Sequence, residues 1–238
     1  MAAMTWQQGV EKWRADYEAG LKAPDGWLTV TGLDWLHEGD NAIARVGTVT
    51  LHNGAVTFGS RVLKPDSSDA ITMGDVTMTI IARGGKLGAR LRDRNADTLK
   101  HFTGCTWYPV SEAWHVKAKW VAQPTKLAIT NVLGMKLEED SPGYASFTLK
   151  GRELRLTPVV EDGQLFFMFK DETAGKTTYG AGRFLYAAMP QNGAVDLDFN
   201  KAKNPPCAFT AFATCPLPPK QNALAFAVEA GEKKYGNH

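Results

Sequence analysis

Two stretches of the chain concentrate side chains able to do chemistry. In the first, Arg83-Gly-Gly-Lys-Leu-Gly-Ala-Arg-Leu-Arg-Asp-Arg94, five cations stand against one anion. Read as a strand, it puts Arg90, Arg92 and Arg94 on one face and Leu87, Ala89, Leu91 and Asp93 on the other, because successive strand side chains alternate. A guanidinium is a planar fork of donors, so such a row suits bidentate capture of a carboxylate or phosphate. The bland alternative is a solvated face paired with acids across the sheet. The second stretch, residues 171–232, carries Asp171, Thr173, Thr178, Tyr179, Arg183, Asp198, Asn200, Asn204, Cys207 and Glu232. Asp171 or Glu232 could act as the acid/base of a hydrolase or lyase, with Tyr179 and Arg183 stabilising charge. These four are the candidate catalytic residues. Asn204-Pro-Pro-Cys207 and Cys215-Pro-Leu-Pro-Pro219 fix φ at several positions and give up backbone donors, which suits rigid loops on a β scaffold.

Other patterns fail on inspection. Gly175-Lys176-Thr177 lacks the first glycine of a phosphate loop, whose position holds Lys170, and no good helix follows it. Asp196, Asp198 and Asn200 imitate a calcium loop, but Lys201 stands where its turn glycine belongs and Cys207 where its final glutamate belongs. On a strand these three would share one face, which reads as solvated, and no metal is assigned. The histidines, His37, His52, His101, His115 and His238, fall on turns or polar faces, so a Cys/His dyad is not assigned either. Cys105, Cys207 and Cys215 form no CxxC pair. Cys207 and Cys215 lie beyond bridging reach unless the chain turns between them, and reduced cytoplasmic thiols are the expectation. Lys+Arg 27 against Asp+Glu 25 leaves +2, too little for a nucleic-acid binder. No leader and no 18-residue apolar run is seen, so no membrane span is expected.

The elements that would position these groups are mostly strands. Trp6, Val10, Trp13, Tyr17 and Leu21 recur at helical spacing behind a Thr5/Gln8 capping box, with Gly20 as a stop. This helix is expected to pack on its own domain. Beyond Gly26 the period changes to two. Val76, Met78 and Ile80 alternate with threonines, and Trp114, Val116, Ala118 and Trp120 with His115, Lys117 and Lys119. Further strands are expected at 27–31, 48–51, 55–58, 87–94, 125–130, 144–150, 153–159, 164–170, 177–187, 194–199 and 223–229. Asn53-Gly54, Glu161-Asp-Gly163 and Asn192-Gly193 read as hairpin connections. With 44% hydrophobic and 22% charged residues over 238 positions and no linker or repeat, the expectation is a helix at 1–25 on a single β domain at 26–238. That domain is an antiparallel sandwich or partly closed barrel.

Several of these segments resemble one known family. Arg83-Gly-Gly with Leu-Gly-Ala-Arg-Leu-Arg-Asp93, Phe102-Thr-Gly-Cys-Thr-Trp-Tyr-Pro109, Ser141-Pro-Gly143 and Phe166-Phe-Met-Phe-Lys-Asp171 are similar to the signature of the bacterial "domain of unknown function 1684" family. So are Thr178-Tyr-Gly-Ala-Gly-Arg-Phe-Leu185, Leu197-Asp-Phe-Asn200, Asn204-Pro-Pro-Cys-Ala208, Cys215-Pro-Leu-Pro-Pro219 and Ala230-Gly-Glu-Lys233. The resemblance runs over about residues 27–235 and implies no activity and no catalytic residue.

The leading functional expectation is a cytoplasmic β protein that binds a small, anionic molecule, as a monomer or homodimer and without a cofactor. Its expected ligand-binding residues are Arg90, Arg92, Trp107, Tyr108, Tyr179, Arg183, Phe184, Asp198, Asn200, Asn204 and Cys207, since pockets combine apolar walls with a few orienting polar groups. The acid/base enzyme is the alternative. A structural protein using the Trp6–Leu21 helix or a sheet edge is the third reading.

Overall fold

The computed structural model describes residues 4–236, so His238 lies outside the described residues. Helix α1 (Trp6–Lys22) opens on the expected reciprocal cap: the Gln8 N–H donates to Thr5 Oγ1 (3.2 Å) and the Thr5 N–H to Gln8 Oε1 (2.9 Å). Val10 and Leu21 on its apolar face are buried. The helix passes through Gly20 rather than stopping there. A tight turn ends it, with the Ala23 N–H on the Gly20 carbonyl (3.2 Å).

The chain forms two compact units, one made of residues up to 18, 104–208 and from 215 onward, the other of residues 19–103 and 209–214. In the second, β1 (Val30–Trp35), β6 (Ala70–Met73), β7 (Val76–Arg83) and β8 (Lys86–Asp93) make one antiparallel sheet in the order β1-β8-β7-β6. A second sheet runs β2-β3-β4-β5, from β2 (Gly39–Ile43), β3 (Gly47–His52), β4 (Ala55–Phe58) and β5 (Arg61–Leu63). Asn53 and Gly54, both at positive φ, join β3 to β4 as expected. Val49, Val56 and Leu63 from one sheet and Val76, Met78, Ile80, Ala89 and Leu91 from the other share one apolar cluster. The alternation along β7 and β8 therefore turns Thr77, Thr79, Arg90 and Arg92 to the opposite face. The expected strand at 27–31 starts late, because Trp27–Thr29 forms a 3-10 turn held by the Thr29 hydroxyl on the Gly26 carbonyl (2.7 Å). A short helix, α2 (Asp97–Lys100), follows β8.

The first unit contains β9 (His115–Val121), β10 (Thr125–Thr130), β11 (Lys136–Ser141), β12 (Tyr144–Leu149), β13 (Arg152–Leu156), β14 (Val159–Glu161), β15 (Gln164–Phe169), β16 (Arg183–Ala187) and β17 (Ala194–Asp198). Its sheets are β13-β12-β9-β17, β14-β15-β16 and β10-β11, with antiparallel pairing. Leu156, Leu165, Phe167, Phe169, Leu185, Leu197 and Phe199 form its core. The fold is thus mostly β and antiparallel with an N-terminal helix. Among the described residues its strands fall into five sheets, and none closes into a barrel.

Two expected strands in this unit are corrected. Of 177–187 only β16 is extended, and residues 223–229 form no strand. The reason is a buried ion pair. Arg183 Nη2 donates to Asp171 Oδ2 (2.8 Å) and to the Val228 carbonyl (2.8 Å), and Nη1 donates to the Ala230 carbonyl. Asp171 Oδ1 accepts from the Val228 N–H (3.3 Å), the Thr173 N–H (2.8 Å) and the Thr173 hydroxyl. Side chains thus supply partners that a neighbouring strand would otherwise supply. Gly182 sets the approach to Arg183 at φ +96°, where a Cβ would fall 2.5 Å from the Phe169 carbonyl oxygen. Arg183→Met should therefore leave Asp171 and two carbonyls unpaired and cost about 3–5 kcal/mol in urea denaturation. A loss of under about 0.5 kcal/mol, the range of ordinary surface changes, would show that the pair does not hold this segment.

Candidate functional site

The arginine row sits in a cleft of the second unit. The cleft encloses about 560 Å³ and is lined by Arg90, Arg92 and Arg94 together with Thr77, Thr79, Ser67 and Ser68. The three cations are graded in depth, with Arg90 buried, Arg92 half-buried and Arg94 exposed. The Arg90 guanidinium lies 5.0 Å from the centre of the Trp27 ring, a cation–π contact. Arg92 donates through Nε to the Asp25 carbonyl (3.1 Å) and through Nη1 to Thr79 Oγ1 (3.3 Å). Burial lowers the pKa of Arg92, against the pull of Asp25. Two aspartates, Asp25 and Asp66, also line the cleft, and Asp66 is paired with Arg83 (2.8 Å).

Cross-strand register shows what stands beside the row. Thr77 and Thr79 on β7 pair with Arg92 and Arg90, and Val30 and Leu33 on β1 pair with the same two arginines. None of these four is an acid; Asp25 and Asp66 line the same cleft from outside the ladder.

The remaining sequence-picked residues belong to the first unit, where most of them fall into three polar centres. The Asp171–Arg183 pair is one, joined by the Thr173–Thr178 hydroxyl contact (2.7 Å). In the second, Asn200 clasps Ser111 by accepting its N–H (2.9 Å) and donating to its carbonyl (3.0 Å). It also donates to Asp198 Oδ1 (2.9 Å). Arg14 on α1 donates to the carbonyls of Asn200 (3.0 Å) and Tyr108 (3.0 Å).

Glu232 is the heart of the third centre. Its side chain is completely buried, with Oε2 accepting the Asn204 N–H (2.7 Å) and Oε1 making no hydrogen bond. Asn204 Nδ2 donates to the Lys233 carbonyl (2.8 Å). The backbone of Trp107 bridges that of Glu232, while Trp107 Nε1 donates to Glu18 (3.1 Å). The Tyr108 hydroxyl meets Thr177 Oγ1 at 2.6 Å. Trp13 and Tyr17 of α1 stack on each other and meet Trp107 edge-on at 6.1 and 5.9 Å. Burial pushes the Glu232 carboxyl up to about 7, opposed by the Asn204 N–H. Burial and the neighbouring Glu232 likewise raise the Cys105 thiol and the Tyr17 hydroxyl, and burial lowers the ammonium of Lys203.

Tyr179, Cys207 and Phe184 stand apart from that centre. The Tyr179 hydroxyl donates to the Cys207 carbonyl (3.1 Å). Phe184 packs edge-on to Phe166 at 4.8 Å, its backbone bridged to Lys203. Sequence reasoning passed over Cys105 and Lys203, since nothing in their local spacing points to a glutamate far along the chain. Among the described residues no group of three or more His, Cys, Asp or Glu is placed to hold a metal ion. No described helix is long and apolar enough to cross a membrane.

Glu232 makes stability depend on pH in a definite direction. Its folded pKa, about 7, lies above its ordinary value of 4.5, so its contribution is fully present below about pH 4.5 and declines as pH rises towards 7. That decline amounts to at most about 3 kcal/mol. Glu232→Gln should flatten this part of the profile in urea denaturation run between those pH values. An unchanged slope would mean that the carboxyl does not titrate there.

Compared with known proteins, residues 100–233 match the family described as "Protein of unknown function (DUF1684)". A solution NMR structure of an uncharacterized protein from Haloarcula marismortui is 28% identical to the chain, with a TM-score of 0.47, covering 56% of this chain and 78% of that one. Among curated proteins no match was found. The matched segment is more than half of the chain and takes in Asp171, Arg183, Asn200, Asn204 and Glu232, so the protein belongs to the DUF1684 family.

Proposed function

We propose that the protein binds a small carboxylate- or phosphate-bearing molecule in the cleft above β8. The observation that carries this reading is the arginine row itself: Arg90, Arg92 and Arg94 line one cleft together with Thr77, Thr79, Ser67 and Ser68. Three guanidinium groups against two carboxylates, one already paired with Arg83, leave an excess of positive charge in the cleft. An anion would complete that charge balance, with bidentate bonds from the arginines and single bonds from Thr77, Thr79, Ser67 or Ser68. The half-buried setting supports it further, because donors removed from bulk water interact more strongly with a charge. Trp27, stacked against Arg90, fixes the deepest guanidinium in advance of binding and so limits the entropy lost on association. Under the same reading the protein works in the cytoplasm, in keeping with three cysteines outside any disulfide.

Isothermal titration with inorganic phosphate and with succinate, at low ionic strength, tests the proposal. Arg92→Ala and Arg94→Ala should each weaken binding about tenfold or more, and added salt should weaken it for the wild type. Wild-type affinity retained in both variants would overturn the placement.

A further inference from the structure

Cys207 and Cys215 are eight residues apart in sequence, yet the chain turns between them and brings Cys215 Sγ to the Cys207 backbone. A tight turn at Pro206–Ala208, closed by the Ala208 N–H on the Pro205 carbonyl (2.9 Å), presents Cys207. Its N–H donates to Cys215 Sγ at 3.2 Å, which sets the Cys215 sulfur against the Cys207 backbone. Cys215 is pinned from its other side. Its carbonyl accepts the Val132 N–H (3.0 Å), and Pro216 bridges Asn131. The Tyr179 hydroxyl holds the Cys207 carbonyl (3.1 Å). Both cysteines are outside any disulfide, Cys207 half-buried and Cys215 buried.

We propose that Cys207 and Cys215 are a redox-active dithiol that a hydroperoxide converts to an intramolecular disulfide. The exposure of the two residues assigns their roles: Cys207 meets the oxidant and Cys215 resolves it. The hydrogen bond from Cys215 brings the Cys207 thiol down to about 7 despite the desolvation that opposes it, so a large fraction is thiolate at neutral pH. Cys105, half-buried beside Glu232 and shifted the other way, stays a thiol.

In the first step the Cys207 thiolate attacks one peroxide oxygen and the O–O bond breaks. The departing hydroxide or alkoxide takes up a proton, and Cys207 is left as a sulfenic acid. Cys215 Sγ then attacks that sulfur, the S–O bond breaks, and the hydroxide leaves as water with the Cys215 proton. Two electrons have passed from the dithiol to the peroxide, which is reduced to water and water or an alcohol. The turn already seats Cys215 Sγ on the Cys207 N–H, so closing the bridge asks for side-chain rotation to disulfide geometry.

Intact-mass measurement of the full chain, after graded hydrogen peroxide and alkylation of remaining thiols under denaturing conditions, tests this directly. The expected product has lost two hydrogens and retains one alkylatable thiol, and peptide mapping links Cys207 to Cys215. Dithiothreitol should restore all three thiols. Cys215→Ser should stop at a sulfenic acid on Cys207 that dimedone traps. Cys207→Ser should slow oxidation about tenfold or more, and Cys105→Ser should leave the wild-type course unchanged. Three alkylatable thiols after peroxide, a disulfide between chains, or wild-type oxidation running on to a sulfinic acid at Cys207 would each overturn the proposal. The mapped link comes from the unaltered protein, so a variant that fails to fold does not decide the matter.

Discussion

A single buried ion pair organises the larger unit. Arg183 and Asp171, their side chains 0% and 2% exposed, meet in a place where neither charge is tolerable alone. The unit is assembled so that neither is alone. Gly182 clears the way for Arg183, and the turn at Thr173 and Thr178 surrounds the aspartate. The segment from Leu224 to Ala230 lends its carbonyls and one N–H to the pair. Phe169 adds a ring 5.2 Å from the guanidinium carbon. The C-terminal part of the chain is therefore packed through two side chains where a β ladder would ordinarily do the work. Both ends of the pair are held by protein partners, with Arg183 Nε alone of its guanidinium nitrogens making no hydrogen bond, which explains how so polar a set can stand inside an apolar core.

The smaller unit spends its charge differently. Its two sheets bury one face each in a shared apolar cluster, and the other face of β7 and β8 carries arginine against threonine. The register partners of Arg90 and Arg92 are not acids; Arg90 meets the Trp27 ring, and Arg92 a backbone carbonyl and the Thr79 hydroxyl. Asp25 and Asp66 share the cleft with the three arginines, in contrast to the closed ion pair inside the other unit.

Much of this was legible in the residues, and the failures have physical causes. The Thr5/Gln8 cap, the apolar stripe of α1, the alternation of β7 and the shared cleft of Arg90, Arg92 and Arg94 all follow from local periodicity. The misreading of 223–229 arose because an alternating sequence says how side chains are disposed and nothing about who supplies the backbone partners. Residues 177–182 look extended but serve the Asp171 turn. The division into units is invisible as well, since residues 209–214 group with 19–103 without any shift in composition to mark it. Cys105 beside Glu232, and Cys207 beside Cys215, are products of long-range folding that spacing alone cannot disclose.

The side-chain anchoring of residues 224–230 has a further consequence for local opening. In a ladder, each amide can break from its partner almost independently at a frayed end. Here the Val228 N–H and the carbonyls of Val228 and Ala230 converge on one ion pair, so releasing any of them exposes both charges. Hydrogen exchange across this segment should accordingly report one cooperative unit, with the amides of Leu224 and Val228 opening together with the Asp171 turn.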